Sequence, residues 1–219
     1  MQKTVFAIHT TPALVTPLGK LFAEMLPEVR LVNVVDDSLL ADVRIAGCLT
    51  PSVTRRIVGY GVLAQSAGAD AIFNCCSSVG EAADLLSQAV EIPVVKIDGR
   101  MAENAVRSGP RVGVIATLPT TLDPTVRLIE SRARQLGKSV EVRRYLVDDA
   151  FDVLISGDGE KHDRMVLTEI ERAGAENDVV VLAQGSMARL VAALDGKMPI
   201  PVLSSPRLGV ENLREVLAG

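Results

Sequence analysis

Tryptophan is absent from this chain of 219 residues, and two tyrosines and four phenylalanines are all the aromatic residues it has. Hydrophobic residues nevertheless make up 48%, so the core is expected to be built from Val, Leu, Ile and Ala. Histidine is as scarce. His9 and His162 stand far apart and no CxxC pair accompanies them, which leaves no zinc-ligand spacing and no metal site to expect. Three cysteines, two of them adjacent, do not make a disulfide framework, and a chain of this length buries enough surface to need none. A reducing cytoplasm is the expected location. No apolar run reaches the length of a membrane span, and the first residues read as a strand rather than a signal segment. No glycine-rich phosphate loop follows a strand, so no nucleotide site is expected. The formal charge of −4, with Lys and Arg scattered, argues against nucleic-acid binding.

What the chain does have is an internal repeat. Asp70-Ala-Ile-Phe-Asn-Cys-Cys76-Ser-Ser78 aligns without a gap on Asp178-Val-Val-Val-Leu-Ala-Gln184-Gly-Ser186, an offset of 108 residues. The same offset relates Ile92-Pro93-Val94-Val95 to Ile200-Pro201-Val202-Leu203, and Glu103-Asn104 to Glu211-Asn212. Near the start, Val5 to Pro12 matches Val112 to Pro119 at an offset of 107. A duplicated unit of this kind predicts two pseudo-symmetric α/β lobes with the active site in the cleft between them. One residue breaks the symmetry: the thiol of Cys76 corresponds to the amide of Gln184.

Short, fully apolar strands alternate with amphipathic helical stretches, the pattern of parallel sheets covered by helices on both faces. Strands are predicted near 4–9, 30–35, 70–75 and 93–97, and again near 111–116, 140–146, 178–183 and 201–204. Helices are predicted near 13–26, 51–67, 79–89 and 99–107, then 122–137, 160–174, 187–195 and 207–217. The turn-rich Ser108-Gly109-Pro110 marks a boundary, giving lobes of 1–108 and 109–219. The closeness of the repeats leaves room for the C-terminal helix of one lobe to pack on the other.

In parallel sheets of this class, ligands gather beyond the carboxyl ends of the strands. Those ends are rich in hydroxyls here: His9-Thr10-Thr11, Cys75-Cys76-Ser77-Ser78, Thr117, Gln184-Gly185-Ser186 and Ser204-Ser205. Each stands at a strand-to-helix junction, where free N–H groups and the helix dipole favour an anion. Taken singly, each Ser or Thr is best read as a helix cap. As a set repeated at matched positions they read as a carboxylate receptor. Cys76 stands at a helix start, a place that can lower a thiol's pKa and make it a nucleophile or base. Cys75, one residue earlier, points the other way and is read as core, as is Cys48.

On these residues the chain resembles the aspartate/glutamate/hydantoin racemase superfamily over nearly its whole length. The resemblance rests on the duplicated unit, on the cysteine six residues after Asp70, and on the turn after the first strand. It implies an enzyme without a cofactor, in which two cysteines, one per lobe, flank the acidic carbon of a small carboxylate. One removes a proton and the other returns one on the opposite face. Carried over, Cys76 matches the first-lobe cysteine, and Ser77 and Ser78 match its carboxylate-binding followers. Thr10 matches the hydroxyl after the first strand, and His9 falls where some members place an acid that assists a cysteine. Homodimers are common in the superfamily.

Gln184 departs from the pattern. It stands where the second cysteine belongs, with Gly185, Ser186 and Met187 following, and an amide carries no proton at this pH. Three readings follow. The first is an isomerase acting by proton transfer or thiolate attack with Cys76, Gln184 serving as a hydrogen-bonding residue. The second is a malonate-type decarboxylase with Cys76 as proton donor, although relatives of that kind keep their thiol in the second lobe. Maleate isomerases use a first-lobe thiolate but also carry a second cysteine. The third is a carboxylate-binding protein without chemistry. Other residues read first as structural: His162 with Asp163 as an exposed helix start, the alternative being a loop over the cleft that brings it near substrate; Arg55-Arg56 as solvated surface, the alternative being positive charge for an acidic ligand; Lys96 and Asp98 as a pair; Met187 as core.

Overall fold

The computed structural model describes residues 2–194 and 197–219. It forms two compact units, one comprising the chain through Gly99 together with Pro206–Gly219, the other Arg100–Ser205.

The first unit holds a four-stranded parallel sheet of β1 (Thr4–His9), β2 (Arg30–Val35), β3 (Ala71–Asn74) and β4 (Val94–Lys96), in the order β2-β1-β3-β4. Its helices are α1 (Val15–Met25), α2 (Ser38–Ala46), α3 (Pro51–Ser66) and α4 (Gly80–Leu86). After α5 (Gly99–Ser108), the second unit repeats the arrangement with β5 (Arg111–Ala116), β6 (Glu141–Leu146), β7 (Val179–Leu182) and β8 (Val202–Ser204), ordered β6-β5-β7-β8 and again parallel. Its further helices are α6 (Pro119–Gln135), α7 (Ala150–Ile155), α8 (Gly159–Glu176) and α9 (Ala188–Ala193), and α10 (Ser205–Ala218) ends the chain. All eight strands lie where the sequence puts them. The helix expected over 187–195 runs to Ala193, and its anticipated end at Asp195 lies outside the described residues.

Side-chain alternation builds the first core. Val5, Ala7, Ala71, Phe73 and Cys75 face α1 and α10, packing with Leu18, Phe22, Val210, Leu213 and Leu217. Ile8 and Ile72 face the other way, onto Leu39, Val43, Val53, Ile57 and Leu86 from α2, α3 and α4. Gly209 lets α10 come this close: a Cβ there would lie 2.5 Å from the Ile97 carbonyl oxygen. In the second unit Ile115, Val180 and Leu182 pack against Val166, Ile170 and Ala173 of α8 and against Met187.

The repeated aspartates are braces. Asp70 Oδ2 accepts the N–H of Thr4 at 2.6 Å, and Asp178 Oδ2 that of Arg111 at 2.9 Å, so each ties the start of one strand to its neighbour. Asp178 also binds the Arg111 guanidinium, which holds its carboxyl below the usual range. Two helices escape the sequence reading, α2 and α7. Each follows a Val-Asp-Asp segment, Val35-Asp36-Asp37 and Val147-Asp148-Asp149. Asp36 accepts from Ser38 N and Oγ and from Tyr60, and Asp149 takes a left-handed φ of 61° to turn the chain into α7.

Candidate active site

The chain leaves β3 through Asn74 and Cys75 into an extended Cys76 (φ −140°, ψ 123°), followed by a 3-10 turn over Ser77–Val79 and then α4. The Asn74 side chain donates to the Cys76 carbonyl at 3.0 Å and pins the turn from below. Cys75 is buried against the α1/α10 face, whereas Cys76 is half-buried on the opposite face, the alternation expected of successive strand residues. Thr10, at the end of β1, brings its hydroxyl to the Cys76 sulfur, which also faces the hydroxyl and N–H of Ser78 and the N–H of Val79. These donors favour a charge on the sulfur. Thr11 precedes the 3-10 turn Pro12–Leu14 and makes no side-chain cap bond.

The thiol's charge state departs from the sequence expectation. A helix start was expected to lower the Cys76 pKa. Burial instead raises it, outweighing the favourable hydrogen bonds from Thr10, Ser78 and Val79. Cys76 therefore rests as a thiol, surrounded by donors able to stabilise sulfur charge once chemistry demands it.

His9 is buried, and its Nε2 bonds to Asn33 Oδ1 of β2 at 2.9 Å. With Asn33 as acceptor, the proton lies on Nε2, and the lone pair on Nδ1 is buried without a partner. Burial depresses the His9 pKa, opposed by the Asn33 bond, so the ring is held neutral. Lys96 does not pair with Asp98. It pairs with Asp84 of α4 at 2.8 Å, and the buried Asp98 carboxyl bonds instead to Ser77.

The second unit carries the matching turn. Gln184 is extended (φ −118°, ψ 132°) and leads into a 3-10 turn over Gly185–Met187, with Met187 buried as expected. Where Thr10 meets a thiol, Thr117 meets an amide: Gln184 Oε1 accepts from Thr117 N at 2.6 Å, and Gln184 Nε2 lies 2.9 Å from Thr117 Oγ1. Ser186 contributes its carbonyl to Arg189, which also binds Asp163. His162 is not the exposed residue the sequence suggested. It is fully buried, with Nδ1 bonded to Asp163 Oδ1 at 2.8 Å and Nε2 unpartnered. The signal for that cluster was the His162-Asp163 pair opening an amphipathic helix. Arg56 belongs to no anion site, since Asp36 and Asp42 engage it. Cys48 is exposed, not core.

Among the described residues, no cluster of three or more His, Cys, Asp or Glu is placed to hold a metal, and no helix is long and apolar enough to cross a membrane.

Two parallel sheets of matching strand order, each with a threonine hydroxyl beside a strand-end turn, define a duplicated α/β scaffold. The sequence profile of the Asp/Glu/hydantoin racemases matches residues 7–213, and the chain belongs to that family. No curated protein matches it by sequence. Solved structures resemble it closely in fold. Glutamate racemase isoform RacE1 from Bacillus anthracis superposes with a TM-score of 0.77 at 15% identity, over 99% of this chain and 82% of that one. Allantoin racemase from Klebsiella pneumoniae gives 0.71 at 16% identity, over 99% and 88%. An arylmalonate decarboxylase variant in a sulfate-associated form gives 0.64 at 16% identity, over 99% and 94%.

Proposed function

We propose that this protein is a cofactor-independent enzyme of the isomerase type, acting at the carbon beside a carboxylate of a small acid, with Cys76 as its single reactive thiol. The observation that carries the reading is the surroundings of the Cys76 sulfur, which has the hydroxyls of Thr10 and Ser78 and two main-chain N–H groups turned toward it. Such donors stabilise a thiolate, and the same turn offers hydroxyls and N–H groups to a substrate carboxylate. Ser77, Ser78, Thr10 and Thr11 are assigned to that carboxylate, with His9 as a neutral neighbour. In the proton-transfer form, the Cys76 thiol first gives its proton to solvent; the thiolate then takes the proton from carbon, the bonding pair passes into the carboxylate as an enolate, and the thiol returns a proton to carbon. On an unsaturated acid, the thiolate adds to the double bond and the π pair passes into the carboxylate as an enolate; rotation about the new single bond and expulsion of the thiolate then give the isomerised acid. Gln184, with Thr117, Gly185 and Ser186, is assigned hydrogen bonding rather than proton transfer, because an amide does not titrate here. The protein is proposed to work in the reducing cytoplasm, where its three free cysteines stay reduced, and as a homodimer in the manner common in the superfamily.

One observation favours a second reading. Burial keeps Cys76 protonated at rest, which suits a thiol that donates a proton to the enolate left when a malonate-type acid loses CO2.

Incubation with small amino, hydroxy, unsaturated and malonate-type acids in D2O, followed by NMR, tests both. Isomerisation exchanges a substrate proton, whereas decarboxylation releases CO2 and labels the product. A Cys76→Ala variant with full turnover overturns both readings. Saturable carboxylate binding with no exchange, no CO2 release and no geometric isomerisation of an unsaturated acid marks a binding protein without chemistry.

A further inference from the structure

The repeat exposes a second asymmetry beneath the thiol. At the offset of 108, Cys76 corresponds to Gln184, Ser77 to Gly185, Asn74 to Leu182 and Asp98 to Pro206. The half with the thiol thus also carries a hydroxyl, an amide and a carboxyl that its counterpart lacks. Asn74 and Asp98 are buried to 0% and 2% exposure, an expensive placement for polar groups with no counterpart in the duplicate.

Asp98 follows β4 and bonds to Ser77, the residue next to the thiol. Its Oδ1 is buried without any partner. An ionised carboxylate is a four-site acceptor, and leaving one of its oxygens bare in the interior is costly. The Ser77 bond and the residue's own main-chain N–H favour the ionised form, and burial opposes them more strongly; a neutral carboxyl with its O–H turned to Ser77 leaves only an uncharged oxygen bare. We propose that Asp98 is a positioning residue that sets the direction of the Ser77 hydroxyl. A neutral Asp98 donates to Ser77 Oγ and leaves the Ser77 proton for a bound carboxylate, whereas an ionised Asp98 captures that proton and adds a repelling charge. Anion binding at the turn is then coupled to a proton on Asp98. The inference rests on the carboxylate-binding reading of this turn.

The charged groups acting on Asp98 are Lys96, from its own strand, which favours ionisation, and Asp84 of α4, which opposes it. They are paired with each other, so their influences largely offset, and burial of the carboxyl dominates in the direction of the neutral form.

The test needs no substrate. Iodoacetate and iodoacetamide alkylate the same thiolate, but only the first carries a carboxylate, so their rate ratio at Cys76 isolates carboxylate recognition from the thiol's own titration. The exposed Cys48 is first replaced in a Cys48→Ser background, and the modified peptide is identified by mass. The expected result is a preference for iodoacetate that falls about tenfold as pH rises through the Asp98 titration, above the ordinary carboxylate range, the size of one hydrogen bond to a charged group. In Asp98→Asn the ratio becomes independent of pH, because an amide does not titrate. In Ser77→Ala, which leaves Asp98 in place and guards against a folding failure of the first variant, the preference is lost at low pH. A slope unchanged in Asp98→Asn belongs to His9 and overturns the proposal, as does a flat wild-type ratio above one, which leaves the carboxylate reading standing. A ratio at or below one at every pH in the wild type overturns that reading together with this one.

Discussion

Thr117 and Gln184 are joined by both main chain and side chain: the Gln184 amide oxygen takes the Thr117 N–H at 2.6 Å and its hydroxyl at 3.0 Å. The equivalent residues of the first unit, Thr10 and Cys76, meet as hydroxyl and thiol. The duplication has thus kept the threonine and changed what it holds. Gln184→Ala leaves the Thr117 N–H and hydroxyl without their acceptor, with an expected loss of about 1–2 kcal/mol in stability. Urea unfolding reads this as a lower midpoint at unchanged slope. Gln184→Cys, which restores a threonine–thiol pair, should lose less and add one alkylatable thiol. Equal midpoints for Gln184→Ala and the wild type would show that the pairing carries no stability.

Thr10 is the corresponding lever on the reactive thiol. Its hydroxyl favours the thiolate, against the larger effect of burial that pushes the Cys76 pKa up. Thr10→Val keeps the shape and removes the donor, so the pKa should rise further. Alkylation of Cys76 by iodoacetamide, followed against pH in the Cys48→Ser background, should shift to more alkaline pH. A superimposable profile would mean that the hydroxyl does not act on the sulfur.

The architecture was legible because short apolar runs mark most of the strands, β3 and β7 above all, and because the repeat fixes which strands correspond. The position of Cys76 at the end of β3 was legible for the same reason. Its charge state was not: helix-start arguments weigh only local dipoles, while desolvation depends on how Thr10, Ser78 and the α2–α4 core close around the sulfur. Asp98 was read as a partner of Lys96 because the two are near neighbours in sequence. In the sheet, Lys96 reaches Asp84 on α4, and Asp98 lies inward against Ser77. The short helices α2 and α7 were missed because six to nine residues carry too little periodicity, although the recurring Val-Asp-Asp preceding each was available as a signal.

Asp98 also has a stability signature. Burial raises its pKa above the ordinary carboxylate value, opposed by the Ser77 bond and by Lys96. The folded chain therefore holds this proton more tightly than the unfolded chain. The contribution is complete below the unfolded carboxylate pKa and is lost as pH rises through the folded one. Asp98→Asn does not titrate, so its melting temperature should gain on the wild type as pH rises, by about 2–4 °C for each kcal/mol in a chain of this size. A wild-type-to-variant difference that is constant with pH would place Asp98 as an ionised residue throughout.

Arg189 holds the second turn in place from outside. Its guanidinium binds the Ser186 carbonyl and both oxygens of Asp163, which in turn accepts from the buried His162. The turn itself is closed by main-chain bonds from Met187 N–H to Gln184 O at 3.0 Å and from Ala188 N–H to Gly185 O. Arg189 is 45% exposed, so its ion pair adds little to global stability, but it can still set how often the turn opens. Arg189→Ala should accelerate hydrogen exchange in the peptide spanning 184–190 by several-fold while leaving 76–80 at the wild-type rate and the melting temperature nearly unchanged. Acceleration of both segments together would mean that the substitution loosens the whole fold, and acceleration of neither would mean that Gln184 is positioned by Thr117 alone.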